Sequence, residues 1–129
     1  MSMTENELAK IVVDTTFKIH YRLGPGLLES VYEAILAHEL RQLGLTVETQ
    51  VPVAVVWNEL KLEVGFRADI IVERKLVVEL KSVEEIAPVH KKQVLTYLKL
   101  TDCRLGLLIN FNVALIKDGI YRVVNNLRE

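Results

Sequence analysis

The stretch that decides the fold is FRADIIVERKLVVELKS, residues 66–82. Two apolar runs flank the polar segment Glu73-Arg74-Lys75, and this pattern predicts a β-hairpin with a three-residue turn. Side chains alternate between the faces of a strand, so a slip of one residue would turn one strand inside out. The register that keeps the apolar residues together pairs Val72 with Leu76, Ile70 with Val78, and Ala68 with Leu80.

The other face of this hairpin collects charged side chains. The same register places Asp69 opposite Glu79 and Arg67 opposite Lys81. Two adjacent carboxylates repel each other, and a hard divalent ion such as Mg²⁺ neutralises them well through oxygen ligands. Lys81 is then placed to orient a water molecule or to stabilise a phosphate oxygen. Taken alone, these residues also fit a solvated salt-bridge ladder on a half-exposed hairpin.

Length and composition predict one ordered globular domain over residues 4–127. Of the 129 residues, 50% are hydrophobic, and the net charge of -1 argues against a protein that coats nucleic acid by bulk electrostatics. Charge is nevertheless uneven, with 6 basic and 11 acidic side chains in residues 1–73 and 10 and 6 in residues 74–129. The basic C-terminal half fits either a phosphate-facing patch or simple scatter.

The sequence predicts a cytoplasmic protein without membrane contact. Its single cysteine, Cys103, cannot form an internal disulfide. The sequence shows neither a signal peptide pattern nor a run of 18 apolar residues. Cys103 has no evident catalytic partner and is expected to be a small residue at a helix end.

Periodicity of the apolar residues predicts the order ααβββαβββ. Apolar residues at helical spacing predict helices over residues 5–22, 27–43 and 88–100, with a sharp turn at Gly24-Pro25-Gly26. Besides the hairpin, β-branched or apolar runs predict strands over residues 46–56, 105–111, 113–117 and 121–124, and residues 60–64 begin the strand that leads into the hairpin. Pro52 marks the first of these as an edge strand or a bulge. This order suits a mixed sheet with a helix layer on each face.

Two of the predicted helices carry polar side chains that could belong to a site. Glu29 lies in the first turn of the second helix, where it could also be an ordinary acid facing the positive end of the helix dipole. In the last helix, a polar stripe at spacing i, i+3 and i+7 consists of His90, Gln93 and Tyr97. Two neighbouring lysines, Lys91 and Lys92, could meet phosphates or simply face solvent.

Together these motifs resemble the GxxExxY proteins, a branch of the PD-(D/E)xK nuclease-like superfamily, over nearly the whole chain. Gly26, Glu29 and Tyr32 match the motif that gives the branch its name. Further matches follow in the same order along the chain: residues 65–69, residues 78–81, Val89-His90 with Gln93, residues 97–100 and residues 106–111.

The resemblance implies a three-layer α/β/α restriction-endonuclease-like fold with a mixed central sheet. It implies that Asp69 and Glu79 bind Mg²⁺ or Mn²⁺, with the backbone carbonyl of Leu80 and the helix acid Glu29, and that Lys81 is the active-site lysine. Gln93 and Tyr97 match the helix motif of RecB-like nucleases, where these residues support the site and contact DNA. The residues expected to bind nucleic acid or to support the site are Gln93, Tyr97, His90, Tyr32, Lys91 and Lys92.

The expected function is therefore metal-dependent hydrolysis of phosphodiester bonds in nucleic acid, with DNA as the expected substrate. One alternative is a catalytically inactive module of the same fold that binds nucleic acid or a protein partner. Another is a structural homodimer that makes its contact through residues 105–111 or through the edge strand at residues 46–56.

Overall fold

The computed structural model describes residues 2–63 and 66–128, which form three α-helices, seven β-strands and a short 3₁₀ helix. The helices are α1 (Glu5–Leu23), α2 (Glu29–Gln42) and α3 (Pro88–Thr101). The strands are β1 (Val47–Pro52), β2 (Val55–Trp57), β3 (Leu60–Leu62), β4 (Arg67–Val72), β5 (Leu76–Lys81), β6 (Leu105–Asn110) and β7 (Ile120–Val124). The 3₁₀ helix spans Ile116–Gly119. None of the helices within the described residues has the length and hydropathy needed to cross a membrane.

Five strands form a mixed sheet in the order β1-β4-β5-β6-β7. Strands β5 and β6 run parallel, as expected when α3 connects them, and the other neighbours are antiparallel. The strands β2 and β3 form a separate two-stranded hairpin. This sheet places β5, which carries the Glu-x-Lys motif, in the centre of the molecule.

Helices cover both faces of the sheet, as predicted. On one face, side chains of α1 and α2 such as Leu8 and Leu36 pack with Val78 of β5. On the other face, α3 packs through Val94 with Val77, the neighbour of Val78 along β5. The alternation of side chains along a central strand therefore fills two apolar cores, which confirms the predicted three-layer fold.

The hairpin register is confirmed for two of the three predicted pairs. Val72 pairs with Leu76 and Ile70 with Val78. The predicted pair of Ala68 with Leu80 is wrong, because the β4–β5 ladder ends at Ile70. Beyond that point Ala68 joins the core beneath α3, while Leu80 stays in the core beneath α1 and α2.

Several predicted strand boundaries differ from the structure. The strand over residues 46–56 is two strands, β1 and β2, and only β1 belongs to the main sheet, at its edge. Five strands, not three, therefore precede α3. The strand over residues 60–64 ends at Leu62 in β3, and Val64 lies outside the described residues, as does Gly65 of the matched segment.

The predicted strand over residues 113–117 is wrong. This segment bends and enters the 3₁₀ helix, so two strands follow α3. The carbonyl of Val113 lies 2.9 Å from His20 Nε2 instead of pairing in a sheet, and Ile116 is buried in the core. A dimer contact through residues 105–111 is also excluded, because β6 lies between β5 and β7 and all its residues are buried.

Gly106 sets how closely α3 approaches the sheet. A Cβ atom at this position would lie 2.7 Å from Val94 Cγ1 and 3.3 Å from Leu98 Cδ2. We predict that Gly106→Ala lowers the free energy of unfolding by about 1–3 kcal/mol through overpacking, as measured by urea denaturation. In a Val94→Ala background the same substitution should be better tolerated. An equal loss in both backgrounds would show that Val94 does not limit the space.

Candidate active site

Two carboxylates occupy the place where β4 and β5 stop pairing. The Asp69 N–H donates to Glu79 Oε1 over 3.0 Å, and the Leu80 N–H donates to Asp69 Oδ2 over 2.9 Å. Each carboxylate thus accepts a hydrogen bond from the backbone of the opposite strand, where a regular ladder would place a carbonyl group. The two acids are held side by side at the end of the central strands through these bonds, although the predicted ladder pair of Asp69 with Glu79 is not formed, because the ladder ends at Ile70 and Val78.

The environment of Glu79 disfavours its ionised form. Its side chain is buried, with 4% of the residue exposed. Burial and, next, the negative charge of Asp69 raise the pKa of Glu79 to about 9, against opposing effects of the Asp69 N–H and of Lys81. At neutral pH the pair therefore carries a proton, and a cation bound there would have to displace it.

Lys81 lies two residues after Glu79 on β5 and is partly buried. The Phe111 N–H donates to its carbonyl over 2.9 Å, which fixes the end of β5 beside β6. Its positive charge works against the raised pKa of Glu79, so the ammonium group acts on the carboxylate pair. The predicted cross-strand pair of Arg67 with Lys81 is not formed, because Arg67 lies beyond the end of the ladder.

Glu29 begins α2 and is tied to the residue that follows Lys81. The Ser82 N–H donates to Glu29 Oε2 over 3.1 Å, and the Ser82 hydroxyl donates to the Leu27 carbonyl over 2.9 Å. Glu29 also lines the same surface pocket as Asp69. The structure therefore brings this helix acid to the pocket that Asp69 lines, from the side of α2.

Tyr32 supports the start of α2 from inside the core. It is fully buried, its hydroxyl donates to the Gly24 carbonyl over 2.5 Å, and it accepts from the Leu27 N–H over 3.2 Å. Its ring stacks on Phe111 with a centroid separation of 4.1 Å. Tyr32 thus anchors the turn that leads into Glu29, and full burial keeps it from touching a bound nucleic acid directly.

Gln93 and Tyr97 approach the carboxylates from α3. Gln93 Nε2 donates to the Tyr97 hydroxyl over 3.1 Å, and Tyr97 is buried. Burial, followed by the negative charges of Glu79 and Asp69, raises the pKa of Tyr97. The structure therefore brings the predicted glutamine and tyrosine to the same site.

The remaining predicted residues of α3 lie at its start. His90 Nδ1 accepts from the Ala87 N–H over 3.0 Å, so this ring stabilises the first turn of the helix. Lys91 and Lys92 are exposed, and the Lys91 ammonium lies 4.4 Å from the centre of the Tyr121 ring. The described contacts do not join these three side chains to the carboxylates.

Two residues that the sequence analysis missed also belong to the site. Gln50 Nε2 donates to Glu33 Oε1 over 2.6 Å and to Asp69 Oδ1 over 3.3 Å. Burial raises the pKa of Glu33, the hydrogen bond from Gln50 lowers it, and the charge of Asp69 raises it further. Glu33 follows Glu29 by four residues, a spacing that places both on one helix face and could have revealed it.

The donor set fits a hard cation in its chemistry. Asp69 and Glu79 offer oxygen ligands only, and their mutual repulsion favours a bound positive charge. Within residues 2–63 and 66–128, no group of three or more His, Cys, Asp or Glu side chains is arranged to hold a metal ion. An ion at this pair would therefore need further ligands, such as backbone oxygens, water or another side chain.

A mixed sheet between two helix layers, with an acid and a Glu-x-Lys at the end of its central strands, defines a nuclease-type fold. The chain belongs to the PD-(D/E)XK nuclease superfamily, whose family model matches residues 6–123. Neither the comparison with curated proteins nor the comparison with solved structures gave a match. The superfamily is thereby confirmed, while the GxxExxY branch, the single domain over residues 4–127 and the cytoplasmic location stay predictions.

Membership in this superfamily indicates a general type of function. The superfamily indicates a nuclease-type function, and with it hydrolysis and nucleic-acid binding. Nucleases of this superfamily typically use divalent metals.

We predict that Glu79→Gln stabilises the protein in EDTA, increasingly so as the pH rises from about 5 to 9. Below pH 4.5 the glutamic acid is protonated in both the folded and the unfolded chain. Above that pH the unfolded chain releases the proton, whereas the folded chain keeps it until about pH 9. The free energy of unfolding of the wild type therefore falls as the pH rises over this range. A glutamine at this position does not titrate, so the variant does not show this fall.

Thermal unfolding at a series of pH values measures this difference. At pH 9 the variant should melt several degrees above the wild type, and near pH 4.5 the two should nearly coincide. Glu48→Gln, on the edge strand β1, is the matched control, because this side chain is 43% exposed and pairs with Arg74, and it should show no such trend. A constant difference between wild type and Glu79→Gln would contradict the raised pKa.

Proposed function

We propose that the chain is a Mg²⁺- or Mn²⁺-dependent nuclease that hydrolyses phosphodiester bonds, with DNA as its expected substrate. The observation that carries the proposal is the pair formed by Asp69 and Glu79. A buried acid whose pKa is raised to about 9 weakens the fold at neutral pH, so the pair is better explained by a ligand than by stability. The superfamily match supports the same conclusion.

In this proposal Asp69 and Glu79 hold the metal, with the backbone carbonyl of Leu80 and with Glu29. When bound, a divalent ion supplies Lewis acidity toward water and toward the phosphate oxygens. Glu79 must release its proton before it can serve as an anionic ligand, so metal loading should improve as the pH rises. Lys81 is the residue on the same strand that donates a hydrogen bond to the attacking water or to a phosphate oxygen.

The other predicted residues have supporting or contacting roles. Gln93 orients the Tyr97 hydroxyl, and this pair supports the substrate strand beside the carboxylates. Tyr32 and His90 act indirectly, by fixing the starts of α2 and α3. Lys91 and Lys92, exposed at the start of α3, are the proposed contacts to phosphates outside the scissile group.

A second candidate function is an inactive module that binds nucleic acid or a protein partner. Two observations favour it: Glu29 already accepts the Ser82 N–H, and the described residues contain no ready three-ligand cluster. Such a module would keep the carboxylate pair but would not turn over substrate. Metal-dependent cleavage separates the two candidates.

We predict that the purified protein cuts at least one member of a panel of labelled single-stranded, double-stranded and branched DNA and RNA. Cleavage should require Mg²⁺ or Mn²⁺ and stop in EDTA. Lys81→Ala should lower the rate by about 100-fold or more, the scale of a positioned acid or base, and Asp69→Ala and Glu79→Ala should abolish cleavage.

Lys10→Ala is the matched control, because Lys10 is an exposed lysine of α1 whose ion pair among the described residues is with Asp14 on its own helix. Its variant should cut at the wild-type rate. Full activity in both carboxylate variants would refute the site, and a clean wild-type protein that cuts nothing would favour the binding module.

A further inference from the structure

Gln50 has an unusual backbone conformation for a residue inside a strand. Its φ angle is 51°, in the left-handed region that residues other than glycine and asparagine rarely adopt. The other described non-glycine residues with positive φ lie in turns, in a bend or at a helix end: Asn58, Glu73, Arg74, Asp102 and Asn126. A positive φ angle strains the backbone of such a residue. Strained conformations persist where the surrounding structure enforces them, and they are often found at functional sites.

The conformation of Gln50 reverses the faces of β1. Val47 belongs to the core beneath α1 and α2, whereas Val51 packs against the core beneath α3. Residues four apart in a regular strand would share one face. On both sides of Gln50, β1 stays paired with β4. The side chains of β4 must therefore change faces at the same level of the sheet.

Asp69 lies at the point where the side chains of β4 change faces. In β4, Ile70 belongs to the core beneath α1 and α2, and Ala68 belongs to the core beneath α3. Asp69, between them, lines a surface pocket with residues of α2, on the side from which Glu29 approaches. The left-handed conformation of Gln50 in β1 therefore lies opposite the place where the Asp69 side chain is directed toward α2.

The Gln50 side chain and its carbonyl are both engaged. The two amide hydrogens have two acceptors, Glu33 Oε1 and Asp69 Oδ1. Arg67 Nη1 donates to the Gln50 carbonyl over 3.4 Å. Because the Leu80 N–H holds the second oxygen of Asp69, both of its carboxylate oxygens have a fixed donor.

We propose that Gln50 is a positioning residue for Asp69, and that Glu33 in turn holds the Gln50 amide. This inference rests on the proposed function, because it takes Asp69 to be a metal ligand. The amide fixes the plane of the carboxylate before an ion arrives, so less order has to be created on binding. The proposed role of both residues is exerted through Asp69, and neither is proposed as a metal ligand.

The test compares Gln50→Asn with wild type. Asparagine tolerates the left-handed conformation and keeps the amide, but it is one methylene too short to reach both carboxylates. We expect the melting temperature in EDTA to be unchanged or higher, while Mn²⁺ affinity, measured by titration with electron paramagnetic resonance, falls by about 10-fold or more. Gln42→Asn, at the exposed end of α2, is the matched control and should bind Mn²⁺ as wild type does.

Glu33→Ala tests the second half of the inference. It should weaken Mn²⁺ binding to a similar extent, and combining it with Gln50→Asn should add little, because both changes release the same amide. Gln50→Gly relieves the backbone strain outright and should also keep the melting temperature while weakening Mn²⁺ binding.

The outcomes separate this inference from the proposed function. Wild-type Mn²⁺ affinity in both Gln50→Asn and Glu33→Ala would overturn the inference and leave the proposed nuclease intact. A large loss of melting temperature in EDTA for both Gln50 variants would also overturn it, by assigning Gln50 to the fold. A wild-type protein that neither binds Mn²⁺ nor cuts nucleic acid would overturn both.

Discussion

The repulsion between Asp69 and Glu79 is the constraint on which the site depends. The two acids replace the next backbone hydrogen bonds of the β4–β5 ladder, each accepting an N–H from the opposite strand. These hydrogen bonds hold the carboxylates together although their charges disfavour it, and burial adds to the penalty. The fold thus keeps two acidic groups together at the end of its two central strands, and the pair retains a proton at neutral pH.

The surrounding elements bring three different kinds of group to that pair. Strand β5 supplies Lys81, α2 brings Glu29 through its bond to Ser82, and α3 brings the Tyr97 hydroxyl. Each element is held by packing remote from the charges, such as the stacking of Tyr32 on Phe111 beneath α2. Rigid apolar layers therefore carry a polar site that would be unstable by itself.

Sequence alternation predicts the central part of this arrangement because it depends on local periodicity. The pairs Val72 with Leu76 and Ile70 with Val78 follow from keeping apolar side chains on one face. The end of the ladder does not follow, since it depends on the carboxylates replacing backbone partners. The role of Gln50 could not be predicted either, because a glutamine in a sequence does not indicate a left-handed backbone conformation.

Tertiary contacts also explain the errors outside the site. Residues 113–117 have the composition of a strand, but the Val113 carbonyl interacts with His20 and Ile116 is buried among the helices and sheet of the core. The helix residues fared better, because the spacing of Glu29 and Tyr32, and of Gln93 and Tyr97, fixes which side chains share a face. The superfamily resemblance rests on the same spaced residues, and the family match over residues 6–123 confirms it.

The most direct test of this account is the pKa of the Glu79 carboxyl group, measured by carbon NMR during a pH titration in EDTA. We expect a pKa of about 9. Adding Mg²⁺ at a fixed pH near 8 should then release the proton from the pair. A pKa near the ordinary 4.5 in EDTA, unchanged by Mg²⁺, would show that the pair is not poised for a cation and would contradict the account.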